Sequence, residues 1–287
     1  MTVVHSFTLQ HICLIYFIAS LILSILLSVV GSYLVRFVLN NVDELRLWHA
    51  NMTDTPLASL SLTHVHYNPS DPLSFLSAWL ALVPQALCVS YITLIWATRE
   101  VEVLLMFAGQ MGCEALNFVL KRIIKEERPK QMFGKGYGMP SSHAQFVAYF
   151  AVYLGLFLLF RHSPTPSQSV SPFHLLIRLA LAVGLCVGAS AVAISRIYLN
   201  YHTPKQVLAG CGAGIGCAFA WFLVTAFLRT HDWIDWTLDL TLSTRLRLRD
   251  LVVSEDLTEA GWQRWEEKRK LKRRGHTSSA HRFPKSD

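Results

Sequence analysis

Charge is scarce in this chain. Asp, Glu, Lys and Arg together make up 16% of its 287 residues, against a hydrophobic content of 52%. A single water-soluble domain needs far more polar surface than that, so an ordinary soluble protein is excluded. Cys13, Cys88, Cys113, Cys186, Cys211 and Cys217 all fall inside apolar runs, and none makes a CxxC or Cys/His spacing. They read as small core residues, and the sequence argument for a zinc centre or a disulfide framework disappears with them. There is no acidic cluster with metal-ligand spacing, no internal repeat and no recognised nucleic-acid module. Neither a metal, another cofactor nor a nucleic-acid partner is therefore expected.

What is present is apolar length. Runs close to the roughly 20 residues needed to cross a bilayer occur near 8–35, 75–97, 101–120, 144–160, 174–194 and 206–228. They predict an all-α, polytopic transmembrane bundle of about six spans, with the lipid bilayer as its surroundings. No Lys or Arg precedes the first run, which is much longer than the apolar core of a cleaved signal. It reads as a retained anchor, with a processed leader as the alternative. Residues 39–74 are polar and contain the glycosylation sequon Asn51-Met52-Thr53 and the turn-forming Asn68-Pro69-Ser70-Asp71-Pro72.

If the spans alternate, Arg99-Glu100 and the loop Ser163–Ser169 lie on one face. Segments 121–142 and 195–205 lie on the other, and they hold nearly all the unusual polar residues. Beyond 229, Trp233 and Trp236 suit a membrane interface. Leu238, Leu240, Leu242, Leu246 and Leu248 fit either a surface-bound segment or an ordinary soluble tail. Lys268-Arg269-Lys270-Leu271-Lys272-Arg273-Arg274 concentrates six positive charges of a chain whose net charge is +7. That run reads as a solvated tail or as a contact for anionic headgroups. Charge counting gives contradictory orientations, because Lys121, Arg122, Lys125, Arg128, Lys130 and Lys135 crowd the face opposite the tail. The contradiction lifts if the first cluster serves to bind an anion.

Three groups carry chemistry. Lys121 and Arg128 are seven apart, about two helical turns, so on a continuing helix they share one face and reach a single polyanion. Pro140-Ser141-Ser142-His143 opens an apolar helix, where either serine suits the N-cap and the free backbone N–H groups suit a phosphate. Ser195-Arg196 closes the next span, and His202 follows after five residues. A guanidinium at a span end without a nearby acid asks for an outside anion. Two histidines, two arginines and a lysine on one face suit metal-free phosphoryl transfer, in which one imidazole attacks phosphorus and the other protonates the leaving oxygen.

In this order, Lys121-x6-Arg128-Pro129, Pro140-Ser141-Ser142-His143 and Ser195-Arg196-x5-His202 resemble the three-part signature of the type 2 phosphatidic acid phosphatase superfamily. The resemblance implies that Lys121, Arg128 and Arg196 hold the phosphoryl group with help from Ser141 and Ser142. It makes His202 the nucleophile and His143 the acid. Ser142 stands where the family usually has Gly, and Gln206 where it has the Asp that orients the nucleophile. Gln206 is open to two readings: an acceptor that fixes the His202 tautomer, or the last member of a capping box begun by Thr203.

Tyr137-Gly138-Met139-Pro140-Ser141-Ser142-His143-x-Gln145-Phe146 and Tyr198-Leu199-Asn200-Tyr201-His202-Thr203-x-x-Gln206 look like the dolichyldiphosphatase branch, as does Leu62-Thr63-His64-Val65-x-Tyr67. The resemblance implies an endoplasmic reticulum enzyme that hydrolyses dolichyl diphosphate to dolichyl phosphate with its site facing the lumen, recycling the carrier for N-glycosylation. It divides the chain into an added anchor and loop at 1–57, a phosphatase core at 58–228 and an interfacial, basic tail at 229–287. The competing readings are a broader phosphatase for phosphatidate or a sphingoid phosphate, and a lipid-binding membrane protein without turnover.

Overall fold

The computed structural model describes residues 58–60, 65–129, 136–162, 172–255 and 257–280. The first apolar run, the Asn51 sequon, Leu62-Thr63-His64, Lys130, Lys135 and the loop Ser163–Ser169 lie outside these. A two-stranded antiparallel hairpin, β1 (Ala58–Leu60) and β2 (Val65–Tyr67), pairs Ala58 with Tyr67. It leads into α1 (Pro72–Leu80), capped by Asp71 accepting from Leu73 N–H, with Pro72 in the first turn. The apolar run continues through α2 (Val83–Thr98) until Arg99 takes a left-handed conformation. Next come α3 (Val101–Ile124), α4 (Ser142–Leu156, continued by a π-helical turn Phe157–Arg161), α5 (Pro172–Tyr198) and α6 (Pro204–Thr230). The short α7 (Trp233–Leu238) and α8 (Thr241–Leu246) precede α9 (Leu257–Ala280).

Five of the expected spans are therefore present among the described residues, over 72–98, 101–124, 142–161, 175–198 and 204–230. Burial makes α4 the central one: 67% of its apolar window lies inside the bundle, against at most 28% for the others. The outer helices instead present Val89, Ile92, Trp96, Leu175, Leu181 and Val187 outward, as helices in lipid do. Around α4, Tyr91, Met106, Tyr149, Tyr153, Leu156 and Phe222 form the main apolar cluster. The α4–α6 contact depends on a small residue at Gly210, where a Cβ would stand 2.5 Å from the Ser141 carbonyl oxygen. Close backbone approach of this kind is how membrane helices gain packing. Here it sets α6 against the start of α4.

At one end of the bundle a charged cluster is buried and paired. Glu102 Oε1 accepts from Arg161 Nη1 at 2.6 Å and Tyr153 Oη at 3.0 Å, while its Oε2 accepts from Arg229 Nη2 at 2.6 Å. Arg229 also pairs with Asp250. Glu100 Oε2 accepts from the backbone N–H groups of Leu251 and Val252, at 2.8 and 3.0 Å, which ties the chain after α8 to the start of α3. Trp233, Trp236, Leu242 and Leu246 are exposed beside this end, in two short helices.

Candidate functional site

The opposite end gathers all eight residues singled out in the sequence. Lys121 lies in the last turn of α3. The helix then stops, because Lys125 adopts φ 52°, the left-handed conformation that reverses the chain. The continuing helix expected between Lys121 and Arg128 is thus absent. Arg128 comes back from a loop, and the two cations still interact electrostatically. Arg122 points away, its guanidinium 3.9 Å over the Phe118 ring. Ser141 occupies the N-cap position of α4 but makes no side-chain capping bond. Its backbone N–H donates to the Gln206 carbonyl at 3.1 Å, and its carbonyl accepts from Gln145 N–H at 3.0 Å. The amides of Ser142, His143 and Ala144 therefore precede the helical ladder.

Arg196 ends α5 with 3% exposure, its guanidinium 4.3 Å from the Tyr201 ring centroid. The chain turns tightly after it, because the N–H groups of Tyr201 and His202 both donate to the Arg196 carbonyl, at 3.0 and 3.2 Å. His202 is thereby held over the guanidinium's own backbone. Electrostatic interactions link His202 with Arg196, Arg128 and Lys121, and His143 with Arg196, His202 and Lys121. Among the described residues none of the three cations forms an ion pair, although Glu114, two turns deeper on α3, acts on Lys121 from a distance. Arg196 Nε and Nη1, Arg128 Nε and Ser141 Oγ are buried with no hydrogen-bond partner among the described residues. Such groups are costly unless something pairs with them. Four of them around two imidazoles describe a cradle for an anion.

Gln206 performs both jobs that its position allowed. Its Oε1 accepts from Thr203 N–H at 3.3 Å, and Thr203 Oγ1 accepts from Gln206 N–H at 3.3 Å, completing the capping box. The same Oε1 lies 3.2 Å from His202 Nδ1. Which end of the amide is oxygen follows from its partners. Nε2 faces the Glu127 carbonyl at 2.8 Å and Glu126 Oε1 at 3.2 Å, both acceptors, while Oε1 receives a backbone N–H. His202 Nδ1 must then carry the proton and donate, which leaves Nε2 with its lone pair. Gly138 makes room for this wiring: a Cβ there would stand 2.8 Å from the Gln206 amide. Burial, reinforced by Arg196, pushes the His202 pKa down to about 4, so its imidazole is neutral at neutral pH. His143 Nε2 is 3.2 Å from the Ala81 carbonyl, which can only accept. That contact assigns Nε2 as the N–H and leaves Nδ1 as the exchangeable position.

Several site contacts had no sequence signal. Tyr198 Oη donates to Asp71 Oδ2 at 2.6 Å and His66 N–H to Tyr201 Oη at 2.9 Å, so the hairpin and the start of α1 brace the His202 turn. Val65, Ala78, Ala81, Leu199 and Tyr201 pack together beneath it. Among the described residues no three His, Cys, Asp or Glu side chains converge as a metal site would.

Residues 99–230 match the family model described as PAP2 superfamily. A protein of Neurospora crassa is 52% identical over 76% of this chain and 95% of its own length. The human protein named dolichyldiphosphatase 1 is 41% identical over 58% of this chain and 71% of its own. A solved structure of a transmembrane PAP2 type phosphatidylglycerolphosphate phosphatase from Bacillus subtilis is 19% identical with a TM-score of 0.46, covering 72% of this chain and 96% of that one.

Proposed function

Since this chain belongs to the PAP2 superfamily, in its dolichyldiphosphatase branch, we propose that it hydrolyses dolichyl diphosphate to dolichyl phosphate through a phosphohistidine on His202. The observation that carries the reaction class is the ring of unpartnered donors, Arg196 Nε and Nη1, Arg128 Nε and Ser141 Oγ, around two histidines. The dolichyl part rests on the names of the relatives.

In this reading Lys121, Arg128 and Arg196 neutralise the oxygens of the terminal phosphoryl group, with Ser141 and the amides near Ser142 completing the cradle. The Nε2 lone pair of His202 attacks the terminal phosphorus. The bond from that phosphorus to the bridging oxygen breaks, and His143, held as an imidazolium by the bound diphosphate with its second proton on Nδ1, passes that proton to the departing dolichyl phosphate. His143, now neutral, takes a proton from water as the water attacks the phosphohistidine, releasing inorganic phosphate and freeing His202. Placing the cluster at span ends suits a substrate whose polyprenyl tail stays in the bilayer while its headgroup meets water.

The enzyme resides in the endoplasmic reticulum membrane with this site facing the lumen. Charge supports that orientation. With Lys121, Arg128 and Arg196 counted as phosphate ligands, five Lys or Arg remain in segments 121–142 and 195–205, against Arg99, Arg245, Arg247, Arg249 and the six charges of 268–274 on the connections of the other side, which weights that side toward the cytosol.

Purified protein, assayed without added metal on dolichyl diphosphate, phosphatidate and sphingosine phosphate, tests the assignment. Preferential release of phosphate from dolichyl diphosphate is expected, together with an acid-labile phosphoenzyme that His202→Ala lacks. Preference for phosphatidate removes the substrate claim, and absence of phosphoenzyme from the unaltered protein removes the mechanism.

A further inference from the structure

A problem remains at the nucleophile. Once His202 Nε2 bonds to phosphorus, the ring becomes a cation with its proton on Nδ1, and the group that faces this proton is an amide, not a carboxylate. An amide oxygen fixes the tautomer as well as a carboxylate does, but it brings no negative charge. The nearest carboxylate on that path is Glu126, whose Oε1 accepts from Gln206 Nε2 at 3.2 Å.

We propose that Glu126 is a positioning residue that acts on His202 through Gln206, its carboxylate polarising the amide so that the amide oxygen supports the phosphorylated imidazolium. The inference rests on the phosphohistidine reading given above. A carboxylate that accepts from one end of an amide shifts electron density toward the other end. The hydrogen bonds Glu126···Gln206···His202 then form a chain in which each strengthens the next.

Three features of the structure support this chain. The Glu127 carbonyl at 2.8 Å and the Thr203 N–H at 3.3 Å hold both ends of the Gln206 amide independently of Glu126, so the carboxylate is not needed for orientation. The loop that carries Glu126 is fastened by its backbone, whose carbonyl accepts from Gly138 N–H at 2.7 Å, so its side chain is not needed for the loop. Hydrogen bonds from Lys205 and then Gln206 hold its carboxyl below the ordinary pKa, which keeps it ionised. The charged groups to reckon with are Lys205, at 3.0 Å from Glu126 Oε2, and Arg196, Arg128 and Lys121, which act on His202 directly. Lys205 opposes the effect, since it draws on the same carboxylate, but its side chain is 72% exposed and its charge is screened by water.

The two readings of Glu126, charge relay or loop anchor, separate by substitution. Glu126→Gln keeps an acceptor of the same shape and removes the charge. Its kcat on dolichyl diphosphate is expected to fall about tenfold, the equivalent of one pKa unit at the imidazole, with KM unchanged because Glu126 does not touch substrate. Lys205→Ala is expected to lose no activity under the relay, whereas an anchor made by the Lys205–Glu126 pair predicts the same loss from either variant.

Thermal unfolding in detergent accompanies every variant. An unchanged kcat in Glu126→Gln, or a loss in Lys205→Ala equal to that of Glu126→Gln, overturns the relay while leaving the phosphohistidine mechanism intact. Absence of phosphoenzyme from the unaltered protein overturns both.

Discussion

Arg196 offers the sharpest test, because the structure predicts opposite signs for stability and for function. The side chain is 3% exposed, and its Nε and Nη1 have no partner among the described residues. Each buried, unsatisfied donor costs about 1–3 kcal/mol. Against this stands the contact with the Tyr201 ring at 4.3 Å, for which a cation–π interaction contributes about 0.5–2 kcal/mol. Arg196→Met keeps an apolar stem on that ring and removes both donors and the charge. Without ligand the variant is therefore expected to be more stable by about 1–3 kcal/mol, a rise of several degrees in Tm at the roughly 2–4 °C per kcal/mol of a domain this size.

Function moves the other way. Losing one preorganised donor to a transferring group typically costs about 10²–10³ in rate, so kcat/KM should fall at least a hundredfold. Pyrophosphate links the two effects. At a hundred times its Kd it stabilises the unaltered protein by about 2.7 kcal/mol, whereas a site weakened a hundredfold gains only about 0.4 kcal/mol. Thermal unfolding of both proteins with and without pyrophosphate measures all four quantities. If Arg196→Met is the less stable protein without ligand, or gains as much from pyrophosphate as the unaltered chain, Arg196 is a structural residue and the argument fails.

Two further outcomes are expected. Histidine-selective 15N labelling should show His202 titrating near pH 4 in the ligand-free protein, well below the ordinary 6.5. Because the folded value is lowered, its contribution to stability is intact above pH 6.5 and is lost as pH falls from there toward 4; a midpoint at or above 6.5 would contradict the burial argument. Glu102→Ala strips the carboxylate shared by Arg161 and Arg229, and breaking a buried pair costs about 3–5 kcal/mol. Since Asp250 still serves Arg229, a loss near the lower figure should appear in thermal unfolding, with kcat of the folded fraction unchanged, and a loss below about 1 kcal/mol would show that the network carries little.

The parts of this molecule legible in its sequence are those governed by short-range pattern. Apolar runs gave five spans within a few residues of their ends, since only length and hydropathy were required. The gathering of Lys121, Arg128, Ser141, His143, Arg196 and His202 at one end followed from alternation of those spans. Lys121 and Arg128 meet across a chain reversal and not along a continuing helix; the left-handed turn at Lys125 leaves no mark in composition, since a lysine there looks like any helix end. Gln206 has the spacing of a cap and the position of an orienting group, and the structure makes both contacts with one amide. The Glu102–Arg161–Arg229 cluster has no signature in the sequence. Its members are 59 and 127 residues apart from Glu102, and no periodicity connects ion pairs across helices. Glu126 was hidden for the same reason, 80 residues from the amide it touches.

The capping box at the start of α6 carries a consequence for biosynthesis. One glutamine closes a helix, orients an imidazole and receives the start of α4 through its backbone carbonyl, so the centre is assembled only after α6 has left the ribosome and entered the bilayer. A nascent polypeptide that stops short of residue 206 holds a histidine of undefined tautomer and an incomplete cradle. Newly inserted chains therefore stay inert toward the lipid carriers around them until α6 is in place.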